Sequence, residues 1–394
     1  MVASTTTSSG VLGDRTNQDR AHASSSCDHH QSRPAALKSS GVIAQLPEVG
    51  QGSGRSMPSS VDPDKVDHAR TPTLSWFIME KTGDYELAIL MNAISLACKA
   101  ITRAVRKAGI AGLYGLAGSD NSSGDHVKKL DVLSNDILIS ALTESHMCAV
   151  LVSEENEDPL IIEDSKSGRF CVAFDPLDGS SNIDCNVSTG TIFAVYQKKS
   201  SVGGNIDDIL RAGIDIKVAG YCMYGSATEL VVTFSGSGVN RFTLDPSLGE
   251  FIHIGADVKI PSTPKTIYSC NEGNFDSWDE EIKRAVMGFK TASPPWSQRY
   301  VGSMVSDIHR TLLYGGLFLY PADKKSTQGK LRVLYEGFPM ALIVEEAGGV
   351  ASTGMFNGSI RRVLDISPES IHERCPIIIG NEEFVDAVLK EYSS

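Results

Sequence analysis

The sequence predicts a layered α/β fold: a mixed, largely antiparallel sheet domain followed by an α/β domain. Three observations carry this. Residues 190–196, 218–224 and 229–234 are alternating stretches joined by short turns, the pattern of antiparallel strands. From about Lys259 strands alternate with helical segments at 277–287, 305–314 and 339–347, the pattern of an α/β layer. Residues 1–71 are rich in Ser, Thr and Gly and lack periodicity, so they read as a disordered leader. The expected division is therefore 1–71, 72–258 and 259–394, and a chain of 394 residues suffices for two folded domains.

Composition narrows the function. A hydrophobic share of 41% and a charged share of 21% are ordinary for a globular chain. The net charge of −12 argues against nucleic acid or an anionic membrane as partner. No unbroken apolar run approaches the roughly 18–20 residues that span a bilayer. The eight cysteines show neither Cys-x-x-Cys nor zinc spacing and read as reduced thiols of a cytosol-like compartment. Met1 to Gly13 carry hydroxyls and no charge, as organelle transit peptides do, but Asp14, Asp19 and Asp28 follow and transit peptides avoid acids. The expected location is cytoplasmic, with a plastid as the alternative if residues 1–71 act as a transit peptide.

In chain order, order begins near Leu74. Asp84 can cap a helix whose apolar face is Leu87, Leu90, Met91, Ile94, Ala97, Ile101 and Val105, closed by Lys107-Ala108-Gly109. Residues 110–124 form a glycine-rich loop ending at Asp125, and Asp131 opens a second helical pattern. Residues 148–152 read as a strand running into Glu154-Glu155. Phe170 to Phe174 read as a buried strand that Pro176 stops. Pro246-Ser247-Leu248-Gly249 is a hairpin turn. Residues 330–336 alternate strictly, so Lys330, Arg332 and Glu336 would share one face of a strand, as an ion-pair ladder or as phosphate binders beside a metal ligand. Pro339 then starts a helix that Gly348-Gly349 closes.

The chemistry centres on Phe174-Asp175-Pro176-Leu177-Asp178-Gly179-Ser180-Ser181-Asn182. Two aspartates three apart, with a leucine that offers only its carbonyl, face a Gly-Ser-Ser run presenting free N–H groups. Hard oxygens beside an anion cradle suit a divalent cation bridging to a phosphate. An Asx-turn with solvated aspartates is the plainer reading of the same residues. If Asp125, Asp131, Glu154, Glu155, Asp175, Asp178 and Glu336 converge, divalent metals are nearly required, because so many like charges otherwise share a site only by protonation. Metal-assisted in-line phosphoryl transfer to water is the matching reaction.

Glu154-Glu155, Asp175-Pro-Leu-Asp-Gly-Ser-Ser and Glu336 resemble the metal-dependent, lithium-sensitive sugar phosphatase superfamily. The longer stretches 127–136, 175–184, 302–305 and 329–339 resemble the fructose-1,6-bisphosphatase family, and the likeness runs from about Leu74 to Tyr392. The resemblance implies Mg²⁺-dependent hydrolysis of the 1-phosphate of fructose 1,6-bisphosphate, with two or more Mg²⁺ per subunit, or Mn²⁺ or Zn²⁺. It implies that Glu154, Glu155, Asp175, Asp178, Glu336 and the Leu177 carbonyl hold metal. Asp125 would enter from the loop, and Asp131 with Glu155 would activate the water. Gly179, Ser180 and Ser181 would take the 1-phosphate, and Asn271, Tyr300, Tyr320 and Lys330 the sugar and 6-phosphate. Arg299 would reach into a neighbouring subunit of a homotetramer. Asn274 stands where animal members carry tyrosine, as in plant-like members. A sedoheptulose-1,7-bisphosphatase or another superfamily sugar phosphatase, and an inactive phosphate-binding regulator, are the competing readings. Two regulatory devices of the family are expected to be missing. Residues 198–219 hold no cysteine for a disulfide switch. The AMP loop, 81–86, carries Asp84, with Ala88, Arg169-Phe170 and Gln197 replacing AMP-binding residues.

Overall fold

In the computed structural model, which describes residues 72–120 and 126–393, the described part opens with two capped helices. Helix α1 (Leu74–Thr82) was not anticipated; the Thr73 hydroxyl accepts from the Trp76 N–H, and Gly83 ends it at φ 62°. Helix α2 (Tyr85–Lys107) is capped by Asp84, whose carboxylate accepts from the Leu87 N–H at 3.0 Å. The expected apolar face is buried, except that Val105 is only partly covered. By length and composition α2 is apolar enough to cross a membrane, although Asn92, Ser95 and Lys99 interrupt its apolar run. Half of its most apolar window is buried inside the fold, so its hydropathy reports a core helix.

The glycine-rich segment is not all loop. Strands β1 (Leu116–Asp120) and β2 (His126–Lys128) pair antiparallel, and Asp125 lies outside the described residues. Helix α3 (Lys129–Glu144) begins before Asp131, whose carboxylate accepts from the Lys128 N–H at 2.8 Å and so caps the first turn.

An eight-stranded sheet follows: β3 (Cys148–Ser153), β4 (Leu160–Ile161), β5 (Phe170–Asp178), β6 (Thr189–Gln197), β7 (Val218–Tyr224), β8 (Thr228–Phe234), β9 (Val239–Asp245) and β10 (Glu250–Val258). Its order is β10-β9-β8-β7-β6-β5-β3-β4, antiparallel throughout except for the parallel pair β3 and β5. Pro176 does not stop β5. The ladder with β6 shifts register between Asp175 and Asp178, and the proline sits in that irregularity, where no ladder N–H is needed. Residues 246–249 join β9 to β10 as expected.

The remainder holds β11 (Ile267–Ser269), α4 (Glu280–Thr291), β12 (Ser297–Gln298), α5 (Met304–Tyr314), β13 (Leu317–Tyr320), β14 (Leu331–Arg332), α6 (Phe338–Glu346), β15 (Val350–Phe356), β16 (Ser359–Arg362), β17 (Arg374–Cys375), β18 (Ile377–Gly380) and α7 (Glu382–Lys390). A six-stranded sheet has the order β12-β11-β13-β18-β15-β16, and β14 pairs with β17 alone. The strand expected over 330–336 is a correction. Only Leu331–Arg332 is extended, and Val333–Gly337 winds as a π-helical turn into α6. Residues 331–342 are buried almost without break, so alternating polarity there reports no solvent face. Positions 332 and 336 meet as neighbours four apart on a turn.

Strand alternation sorts the layers. On β5, Phe170, Val172 and Phe174 pack with α1, α2 and α3, while Cys171 and Ala173 share a core with α5 and α6. On β13, Phe318 joins that central core, and Leu317 and Leu319 pack with α4 and α7. The result is helices, sheet, helices, sheet, helices, with α5 and α6 in the middle.

Candidate active site

β3 and β5 run parallel, so Glu154-Glu155 and the 175–178 turn emerge at the same ends of neighbouring strands. The Glu154 N–H donates to the Phe174 carbonyl at 3.1 Å and fixes the two segments together. At the turn the Asx geometry forms, but with buried rather than solvated aspartates. The Leu177 N–H donates to Asp175 Oδ1 at 2.9 Å, an Asx-type turn, while Asp175, Asp178 and Glu336 bring carboxylate oxygens within 4.8 Å of one another. Glu336 arrives from the π-helical turn, and its Oε2 accepts from the Arg332 N–H at 2.6 Å.

These carboxylates are buried: Asp175 is 2% exposed, Asp131 3% and Glu336 4%. Burial first, and then neighbouring carboxylates, pushes Asp175 well above the usual range. Burial likewise moves Asp178 up to about 7, Glu336 up to about 8 and Asp131 up to about 6. Arg332, 6% exposed, reaches Glu154 Oε1 at 2.8 Å and Glu336 Oε2 at 3.8 Å. Burial works against its charge, yet Glu336 and Glu154 outweigh that and raise its pKa.

One guanidinium cannot balance this set. Asp131 Oδ1 is buried without a hydrogen-bond partner, and among the described residues the lining of the cleft contains no thiol or imidazole. The acids that converge there, Asp175, Asp178 and Glu336, offer only carboxylate oxygens, which suit Mg²⁺ or Mn²⁺ better than Zn²⁺.

The cleft encloses about 560 Å³. Asp131, Glu154, Glu155, Asp175, Leu177, Asp178, Gly179, Ser180, Ser181, Asn271, Tyr300, Tyr320, Lys330 and Glu336 all line it. Gly179 takes φ 75°, a conformation that admits no other residue easily, and opens the 3₁₀ turn at Ser180–Cys185. Asn271, Tyr300, Tyr320 and Lys330 come from the second half of the chain. Arg299 is exposed and outside the cleft lining of its own chain, donating to the Gln298 carbonyl at 3.1 Å. Asp125 lies outside the described residues. Lys128, Gly302, Met304 and Arg332 also line the cleft. Lys128 and Gly302 carried no separate signal, and Arg332 was visible only as one member of a presumed strand face.

Residues 72–256 match the family model "Fructose-1-6-bisphosphatase, N-terminal domain", and residues 260–393 match "Fructose-1-6-bisphosphatase, C-terminal domain". The cytosolic fructose-1,6-bisphosphatase of Solanum tuberosum is 53% identical over 318 residues, 80% of this chain and 91% of that relative. The cytosolic enzyme of Arabidopsis thaliana is 51% identical over 342 residues, 83% of this chain and 98% of that relative. The crystal structure of Leishmania major fructose-1,6-bisphosphatase in holo form superposes with a TM-score of 0.78 at 43% identity, covering 82% of this chain and 99% of that one. With both family models matched across the described fold and relatives above half identity over four fifths of its length, this chain belongs to the fructose-1,6-bisphosphatase family.

Proposed function

We propose that this protein hydrolyses the 1-phosphate of fructose 1,6-bisphosphate, giving fructose 6-phosphate and phosphate in sugar-phosphate metabolism. The observation that carries it is the convergence of Asp175, Asp178 and Glu336 beside the Gly179-Ser180-Ser181 turn. Divalent cations held by Glu154, Glu155, Asp175, Asp178, Glu336 and the Leu177 carbonyl would neutralise the phosphoryl oxygens and acidify the attacking water.

The chain's own groups do the rest. The N–H groups of Ser180 and Ser181, at the start of the 180–185 turn, would donate to the 1-phosphate. Asp131 and Glu155 would orient the water and take its proton; before any cation binds, burial holds the Asp131 carboxyl above the usual range, at about 6. Asn271, Tyr300, Tyr320 and Lys330 hold the sugar and its distal phosphate.

Arg299 completes that end from a neighbouring subunit. Trp76, Tyr85, Ile89 and Leu96 are exposed on α1 and α2, three of them along one helical stripe, and support assembly into a homotetramer. Leu96→Asp should lower the mass measured by light scattering. The names of the relatives point to the cytosol for this chain as well.

Phosphate release from fructose 1,6-bisphosphate, with and without Mg²⁺ and beside sedoheptulose 1,7-bisphosphate, is the test. Metal-dependent turnover of the fructose ester is expected. Equal or better turnover of the heptulose ester would overturn the substrate assignment.

A further inference from the structure

Asp307, in the first turn of α5, is fully buried at 0% exposure. Its Oδ1 accepts from the Ser269 hydroxyl at 2.9 Å, the Val301 N–H at 3.0 Å and Arg310 Nη2 at 2.9 Å. Its Oδ2 accepts from the Val301 and Gly302 N–H groups at 3.1 and 3.0 Å. One carboxylate thus gathers donors from the end of β11, from the loop before α5, and from α5 itself. These segments carry the groups read above as sugar and distal-phosphate contacts. Ser269 lies two residues before Asn271, and Val301 directly follows Tyr300.

The same loop is tied to the other end of the cleft. The Gly302 carbonyl accepts from Asn182 Nδ2 at 2.9 Å, on the turn that begins with Ser180-Ser181. The Val305 N–H, two residues before Asp307 in the same first turn, donates to Asp178 Oδ2 at 3.3 Å. The loop turns at Gly302, φ 82°, and its successive Val301 and Gly302 N–H groups both find their acceptor in this carboxylate. No neutral side chain of this size accepts from so many donors at once.

We propose that Asp307 is a positioning residue for substrate binding: it sets the spacing between the Asn271 and Tyr300 contacts and the Gly179-Ser181 cradle, and so matches the cleft to the length of a bisphosphate. It touches no substrate; it holds the residues that do. This inference rests on the substrate reading of Asn271 and Tyr300 given above.

Asp307→Asn keeps the shape and loses the charge and one acceptor. Its KM for fructose 1,6-bisphosphate should rise about tenfold, with kcat within about twofold of the parent. Product inhibition by fructose 6-phosphate should weaken in parallel, while half-saturation by Mg²⁺ stays within about twofold. A merely structural carboxylate would lower the melting temperature and the active fraction without moving KM. Ser269→Ala, which removes one neutral donor, is the milder companion if Asp307→Asn does not fold; its KM should rise about threefold. Asn271→Ala is the control. If it leaves KM unchanged, the substrate reading fails and this inference with it. If it raises KM while Asp307→Asn and Ser269→Ala do not, or if they lower kcat alone, the inference about Asp307 is overturned by itself.

Discussion

Asp178 illustrates how one residue joins two tasks. Its Oδ2 accepts from the Val305 N–H at the start of α5, and its carboxylate also belongs to the Asp175–Glu336 cluster. Asp178→Asn keeps the shape and removes the charge that a cation needs. Loss of groups that merely support metal ligands costs about 10–100-fold, so turnover should fall by at least about 100-fold. The melting temperature without metal should hold or rise, because one repelling carboxylate is gone. Near-parental activity at saturating Mg²⁺ would remove Asp178 from the metal set.

At the scale of the element, the start of α2 decides a regulatory property. Asp84 caps the helix through Leu87 and pairs with Arg169, which Glu86 also binds. The Thr82 hydroxyl is engaged as well, donating to the Ile78 carbonyl at 2.8 Å and accepting from the Asp84 N–H at 3.1 Å. A nucleotide phosphate approaching this turn meets two carboxylates, a committed guanidinium and donors already in use. Inhibition by AMP should therefore be weak or absent. Losing one charge-assisted hydrogen bond alone costs roughly 1.5–3 kcal/mol, more than tenfold in affinity. An AMP titration at fixed Mg²⁺ and saturating substrate checks this, and half-inhibition in the low micromolar range would contradict it.

For the whole molecule, the carboxylate cluster links stability to pH and to metal. Without metal, Asp178 and Glu336 titrate at about 7 and about 8 in the fold, whereas an unfolded chain ionises them near 4. The folded state holds protons that the unfolded state has released. That stabilisation is complete below the unfolded values and is lost as pH rises to the folded ones. The melting temperature of the metal-free protein should fall by a few °C between about pH 6.5 and about pH 8.5. Buried His309, lowered to about 4, contributes only below that window. Protons compete with metal, so Mg²⁺ should raise the melting temperature more at the upper end. A flat metal-free profile would show that the cluster does not hold protons. Redox control is a second property at this scale. Among the described cysteines, Cys98, Cys148, Cys171, Cys222, Cys270 and Cys375 are buried free thiols and Cys185 is an exposed one. Activity should be indifferent to a dithiol reductant, and a large reversible gain on reduction would contradict that.

The sequence by itself determined the parts whose signal is local. The α2 cap at Asp84, the period of its buried face, the central antiparallel strands and the 175–182 turn are all set by neighbours within a few residues. The carboxylates and the distal set Asn271, Tyr300, Tyr320 and Lys330 were legible one by one, as residues on turns, and through their resemblance to a family. Tertiary structure alone decided what long-range packing controls. Pro176 stays inside β5 because β6 accepts a register shift there. Residues 333–337 wind into α6 because the segment is buried on every side, and a pattern with no solvent face encodes no period. Asp307 gave no signal as a lone acid in a helix. Its meaning comes from Ser269, Val301 and Gly302, which only the packing of α5 against β11 and the loop before it brings to one carboxylate.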